Sequence, residues 1–99
     1  KVVDLSADYR LKLDTYQKHY CTHEDIPHLQ DSVYGLPEIY KQQISQTNLV
    51  ANPGCYPTAT LLGLLPFLSY IQDKSNIFID AKSGVSGAGK KLSDTTHFV

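Results

Sequence analysis

The sequence predicts an α/β fold, a layered arrangement of mainly parallel strands alternating with helices. Three observations predict it. Short apolar runs rich in β-branched residues (VVDL, NLVA, NIFIDA) recur down the chain, helix-compatible segments lie between them, and Gly and Pro punctuate the joints. Val2 to Leu5 reads as a short buried strand that ends in polar residues, and Leu13 to Tyr20 as a helix with Asp14 as its N-cap. His19 to Asp31 is polar and irregular, with Pro27 inside it. Tyr34-Gly35-Leu36-Pro37-Glu38 has turn chemistry and leads into a helix from Pro37 to Ile44, whose first position suits proline because the N–H there has no helical partner. Asn48 to Ala51 reads as a second strand. From Pro57 to Ile71 the apolar residues lie on all sides, so this helix is expected to be buried, with Pro66 kinking or splitting it. Asn76 to Ala81 reads as a third strand. In such an architecture the loops at the C-terminal ends of the strands are where chemistry is expected.

Ninety-nine residues suit one small domain and are too few for a complete two-domain enzyme. Apolar residues make up 41%, charged residues 19%, and the net charge is -1, which gives no electrostatic case for nucleic acid or an anionic membrane. The expected partners are small molecules or protein. The longest apolar run, Ala59 to Ile71, is interrupted by Thr60, Gly63, Pro66 and Ser69 and is too short to span a bilayer. Lys1 begins no charged-then-apolar leader, so the chain reads as soluble and cytoplasmic. Cys21 and Cys55 read as free thiols, since a chain stapled by disulfides carries more cysteines. The sequence opens inside a strand pattern and stops at THFV, which reads as a fragment of a longer protein; a small domain with trimmed ends is the alternative.

Three constellations carry possible chemistry. In NPGCYPTA, Cys55 falls at the end of a strand and at the start of a helix, where unpaired N–H groups and the helix dipole favour a thiolate and stabilise an oxyanion. Gly54 would allow the positive φ that a sharp strand-to-helix turn often needs. A small buried cysteine acting as apolar filler is the plainer reading, and both stand. In DAKSGVSGAGKK, the glycines from Ser83 to Gly89 let backbone N–H groups converge on an anion, with Lys82, Lys90 and Lys91 adding charge. Gly84, Gly89 and Lys90 satisfy G-x-x-x-x-G-K, but Lys91 stands where a P-loop needs Ser or Thr, and a flexible surface loop is the plainer alternative. In HYCTHEDIPH, His19, Cys21, His23 and His28 invite a zinc reading, yet their spacing matches no common ligand pairing, so no metal is expected. Arg10 could clamp a carboxylate or phosphate, or form a surface pair with Asp8 or Asp14.

Taken in order, DLSADYRL, YGLPE, NPGCYPTA and DAKSGVSGAGKK resemble the N-acetyl-γ-glutamyl-phosphate reductase family of arginine biosynthesis, from the first residue to about His97. The resemblance implies an aspartate-semialdehyde dehydrogenase type of enzyme, in which a dinucleotide-binding domain precedes an α+β catalytic and dimerisation domain. It implies reduction of an acyl phosphate to an aldehyde with NADPH, without a metal, in an enzyme that is a homo-oligomer at full length. By carry-over, Cys55 matches the nucleophile that forms a thioester. Ser83, Gly84, Ser86, Gly87 and Gly89 match the segment beside the nicotinamide ribose, the phosphates or the substrate, and Arg10 and Asn52 match substrate-binding positions. His23 sits at a family-like position, whereas Cys21 does not. The family's main glycine-rich cofactor loop is expected before Lys1 and its acid/base histidine after Val99; His97 matches an earlier position. The resemblance thus implies a partial three-layer fragment from the junction of a Rossmann domain (1–54) and an α+β catalytic domain (55–99), inactive alone. Strands without their neighbours would leave exposed edges and favour self-association or marginal stability. A self-standing phosphate- or nucleotide-binding α/β domain is the alternative.

Overall fold

The computed structural model describes residues 1–72 and 76–88. Its elements run β1 (Val2–Asp4), α1 (Leu13–His19), α2 (Ile26–Leu29), β2 (Ser32–Tyr34), α3 (Pro37–Gln46), β3 (Leu49–Ala51) and α4 (Cys55–Leu64), followed by 3-10 turns at Leu65–Phe67 and Val85–Ala88. The strands form one sheet in the order β1-β3-β2, parallel throughout. This is an α/β arrangement, as the alternation of elements predicts.

The central place of β3 follows from its residues. Val50 and Ala51 are buried, and with Tyr16 and Leu36 they make up the described apolar core, beside the buried polar residue His23. A strand flanked on both sides satisfies its N–H and C=O groups in two ladders, which suits the most apolar of the three runs. Asp4 and Tyr34 both pair with Ala51, so the C-terminal ends of all three strands finish level. The loops that leave them, at Leu5, Gly35 and Asn52, therefore meet at one edge. Asn52 N–H donates to Asp4 O (2.8 Å) and Gly35 N–H to Ala51 O (2.8 Å), which ties that edge together. Gly35 is required by space: a Cβ there would lie 2.9 Å from Val50 Cγ1 and 3.2 Å from Ala51 O.

Several expectations need correction. Among the described residues β1 is an outer strand with one neighbour, and Val2 and Val3 are 59% and 58% exposed, so it is not buried. Helix α1 starts at Leu13 with extended Lys12 as its N-cap, and Asp14 lies inside the first turn, where its charge still favours the helix dipole. The stretch from His19 to Asp31 is not wholly irregular: Ile26–Leu29 form a helical turn that accepts Pro27 because its second position needs no N–H. Strand β2 escapes sequence reading, since three residues show no usable alternation. α3 begins at Pro37 as expected and runs two residues past Ile44, with a kink at Tyr40 (φ -114°, ψ 21°).

The largest departures lie in the second half. α4 begins at Cys55 rather than Pro57 and ends at Leu64, and Pro66 sits in the 3-10 turn that follows, so the split at the proline is observed. None of its residues is buried, contrary to the all-round apolar pattern: Tyr56 and Leu62 are exposed, as are Phe67 and Tyr70 beyond its end. Residues 77–84 form no regular secondary structure, so the expected strand from Asn76 to Ala81 is not formed. A strand needs a neighbour to take its hydrogen bonds, and the sheet of the described residues ends at β1 and β2. Phe78 is 94% exposed there.

Candidate active site

The level C-terminal edge of the sheet sets the geometry. β3 ends at Ala51, and Asn52-Pro53-Gly54 turn the chain directly into α4, whose first residue is Cys55. Thr58 returns to the turn twice, through its N–H (3.0 Å) and its Oγ1 (2.8 Å), both onto Gly54 O. Thr58 N–H makes the first intrahelical bond, Pro57 has no N–H, and the N–H groups of Cys55 and Tyr56 have no acceptor among the described residues. The thiol is free and exposed beside those donors. Helix starts of this kind stabilise negative charge on a nearby sulfur or oxygen.

Gly54 has φ -73° and ψ 163°, so the expected positive φ is not what requires glycine there. The space beside it is tight instead: a Cβ would lie 3.3 Å from Arg10 Nη1, which would have to give by a few tenths of an ångström, and at ordinary contact distance, 3.5 Å, from Pro57 Cδ. Arg10 comes from the loop between β1 and α1. Its Nε donates to Asn52 O (2.6 Å) and its Nη2 to Leu5 O (2.8 Å), so one planar guanidinium bridges the ends of β1 and β3. The surface pair with Asp8 or Asp14 is not formed, and Arg10 braces the turn that presents Cys55. Asn52 directs its Nδ2 to Pro53 O (3.2 Å), inside the same turn.

A cleft of about 610 Å³ opens beside the thiol, lined by Cys55, Tyr56 and Thr60 on one side and by Phe78, Lys82 and Ser83 on the other. The fold therefore brings Cys55 and the first residue of the glycine loop to one cavity. Gly84, Ser86 and Gly87 are described but do not line it, and Gly89, Lys90, Lys91 and His97 lie outside the described residues. Val85–Ala88 close a 3-10 turn in which Gly87 N–H donates to Gly84 O (3.0 Å), so that donor is spent within the loop. A Cβ on Gly87 would meet Ser83 Oγ at 2.5 Å, so a side chain there would require the Ser83 hydroxyl to turn away. Lys82 pairs with Asp80, both exposed. Arg10 and Asn52 do not line this cleft; Arg10 lines a neighbouring one with Leu13, Leu29 and Tyr34. A larger hollow of about 950 Å³ is lined by Val2, Asn48 and Leu49 and also by Asp4, Tyr9 and Asp25, and does not include the thiol. Ligands of open parallel sheets bind at the C-terminal ends of the strands, and Cys55 follows the C-terminal end of β3, which favours the Cys55 cleft as the site.

Below the Arg10 loop lies a polar cluster that sequence reading did not assemble. Tyr16 donates to Asp8 Oδ1 (2.8 Å), and this bond, then the contact with Cys21, pushes the phenol well above its ordinary range. Tyr9 donates to Asp25 Oδ2 (2.7 Å), which raises the Tyr9 phenol and, as the largest cause, lowers the Asp25 carboxyl. His28 Nδ1 lies 2.7 Å from Asp25 Oδ1, and that bond raises the imidazole above its ordinary value. Among the described residues no group of three or more His, Cys, Asp or Glu is arranged to hold a metal ion. The sequence signals for the cluster were the run of histidines, whose spacing fits no common zinc pairing, and the family-like position of His23.

The profile of the semialdehyde dehydrogenase dimerisation domain matches residues 55–99. Over the whole chain, identity is 68% to the N-acetyl-γ-glutamyl-phosphate reductase of Sulfurovum sp., and it is 62% over 99% of the chain to the Wolinella succinogenes protein of that name. It is 50% over 99% of the chain to that of Aquifex aeolicus. By sequence, the chain is similar over its whole length to N-acetyl-γ-glutamyl-phosphate reductases. It spans about 30% of the length of these relatives. Among the described residues, no helix is long and apolar enough to cross a membrane.

Proposed function

We propose that the chain forms part of an enzyme that reduces N-acetyl-glutamyl 5-phosphate to N-acetyl-glutamate 5-semialdehyde in arginine biosynthesis, with Cys55 as its nucleophile. The observation that carries this is the position of Cys55 as the first residue of α4, directly after β3, on the wall of a cleft shared with Ser83. Residues 1–54 would close a dinucleotide-binding domain and residues 55–99 begin the catalytic domain; the match of the dimerisation-domain profile to 55–99 supports the second half and a homo-oligomeric enzyme. The enzyme is assigned to the cytoplasm.

The chemistry follows from what the residues present. The Cys55 thiolate attacks the acyl carbon, an S–C bond forms, the bond between that carbon and the phosphate oxygen breaks, and phosphate leaves with the electron pair. The N–H groups of Cys55 and Tyr56 stabilise the oxyanion of the tetrahedral state. NADPH, when bound, supplies the hydride that reduces the resulting thioester. Sulfur then departs as thiolate, restoring Cys55 and releasing the aldehyde. The close approach of Gly87 to Ser83 Oγ and the place of Ser83 on the Cys55 cleft fit a loop that lies against the nicotinamide end of the cofactor. Ser83, Gly84, Ser86, Gly87 and Gly89 would form that contact. Arg10 and Asn52 act at the substrate through the turn they hold. Since the chain spans about 30% of its relatives, turnover is assigned to the longer protein and not to these 99 residues alone. The test is Cys55→Ala in the full-length enzyme, which should abolish acyl phosphate reduction while leaving cofactor binding intact; undiminished turnover would overturn the assignment.

A further inference from the structure

We propose that His23 is a positioning residue for this reaction: it fixes the Asp8–Arg10 loop and, through Arg10, the turn that presents Cys55. The proposal rests on the reading of Cys55 as the nucleophile. His23 is the buried polar residue of the described core, at 6% exposure, and both of its ring nitrogens are used. Nδ1 accepts from Asp25 N–H (3.0 Å), so the ring proton sits on Nε2, which donates to Asp8 O (2.7 Å). The Tyr9 and Tyr16 rings meet the imidazole edge-on, with centroids 5.6 and 4.8 Å away, and hold its plane.

The loop above it is held at each step. Asp8 is fixed by His23 at its carbonyl and by Tyr16 at its carboxylate, and Asp8 N–H donates to Ser6 Oγ. Tyr9 O accepts from Ser32 Oγ, and the Tyr9 hydroxyl reaches Asp25. Arg10, next in the chain, aims its fork at the Asn52 and Leu5 carbonyls, with Nη1 against Gly54. His23 is thus two residues and one hydrogen bond away from the brace of the nucleophile turn. A buried imidazole with both nitrogens committed to backbone groups fixes a loop more tightly than packing alone.

The test compares His23→Gln and His23→Asn in the full-length enzyme. Gln carries an N–H₂ that can reach Asp8 O as Nε2 does. Asn is one carbon shorter: its oxygen can replace Nδ1 for Asp25 N–H, but its reach to Asp8 is lost. The Asn variant should lose ~10- to 100-fold in kcat, with KM little changed, and the Gln variant should stay within about threefold of the parent. Combined with Arg10→Lys, the Asn substitution should add almost nothing further, because both act through one brace. Equal losses for Gln and Asn, or effects that multiply with Arg10→Lys, would overturn the proposal. Amide exchange at Asn52 and Thr58 gives a readout independent of turnover. It should speed up in His23→Asn and stay slow in His23→Gln, even if Cys55→Ala showed the nucleophile assignment to be wrong; no difference between the two would count against His23.

Discussion

Replacing Arg10 by methionine keeps an alkyl stem in place and deletes both bonds that the guanidinium makes to the strand ends. The bond to Asn52 O is part-buried and the bond to Leu5 O is exposed. A charged hydrogen bond contributes ~1.5–3 kcal/mol when shielded, and water replaces most of the exposed one, so the turn should lose ~2 kcal/mol of local stability. Because 1.4 kcal/mol is a factor of ten, this corresponds to ~30-fold faster local opening. The two amides to follow are Asn52, bonded to Asp4 O, and Thr58, bonded to Gly54 O. Hydrogen exchange on the full-length Arg10→Met protein should show both accelerated, with the Val50 amide in the middle of β3 unaffected. If Asn52 and Thr58 exchange as in the parent, Arg10 does not brace the turn, and its role must be sought in direct substrate contact.

Further outcomes follow from the same geometry. Gly35→Ala forces a methyl to within 2.9 Å of the branched Val50 side chain and 3.2 Å of Ala51 O, neither of which can yield freely, so the urea midpoint should fall by an amount equivalent to ~1–3 kcal/mol; an unchanged midpoint would show that the strand edge is looser than described. His28 should titrate above its ordinary 6.5 in an NMR experiment, and Asp25→Asn should bring it down, since the bond to Asp25 is the main cause of the shift. The linkage has a defined sign. Stabilisation from charged His28 is complete below 6.5 and is lost as pH rises through its raised value, while that from Asp25 is present above 3.8 and is lost as pH falls through its lowered one. The pair therefore supports α2 most between these limits, and an α2 whose amide exchange ignores pH would contradict that.

The sequence carried the α/β class and the Cys55 turn because both rest on local rules: apolar runs separated by Gly and Pro, and a helix that begins where a strand ends. It also carried the start of α3, since Pro37 has a single favoured place in a helix. Burial was misread in β1 and α4. A run of apolar residues records that a surface is suited to burial, not what covers it, and among the described residues Val2, Val3, Leu62 and Phe78 remain uncovered. The strand expected from Asn76 to Ala81 fails for the same reason, since its ladder partner is a matter of tertiary structure. At the site, the thiol and the glycine loop were legible as motifs, whereas the close approach of the Arg10 side chain to Gly54 was not: a contact between positions 10 and 54 leaves no local trace. The His23 cluster was hidden likewise, because Asp8, Tyr16, His23 and Asp25 converge only after the loop has folded over α1.

The account turns on Cys55 as the atom that takes the acyl group. The most direct measurement mixes the full-length enzyme with N-acetyl-glutamyl 5-phosphate in the absence of NADPH, quenches in acid and maps the added mass by peptide mass spectrometry. The account predicts an N-acetylglutamyl group on the peptide carrying Cys55, removed by hydroxylamine as a thioester is, with none on Cys21. Phosphate release without acylation, or an acyl group on any residue other than Cys55, would contradict it.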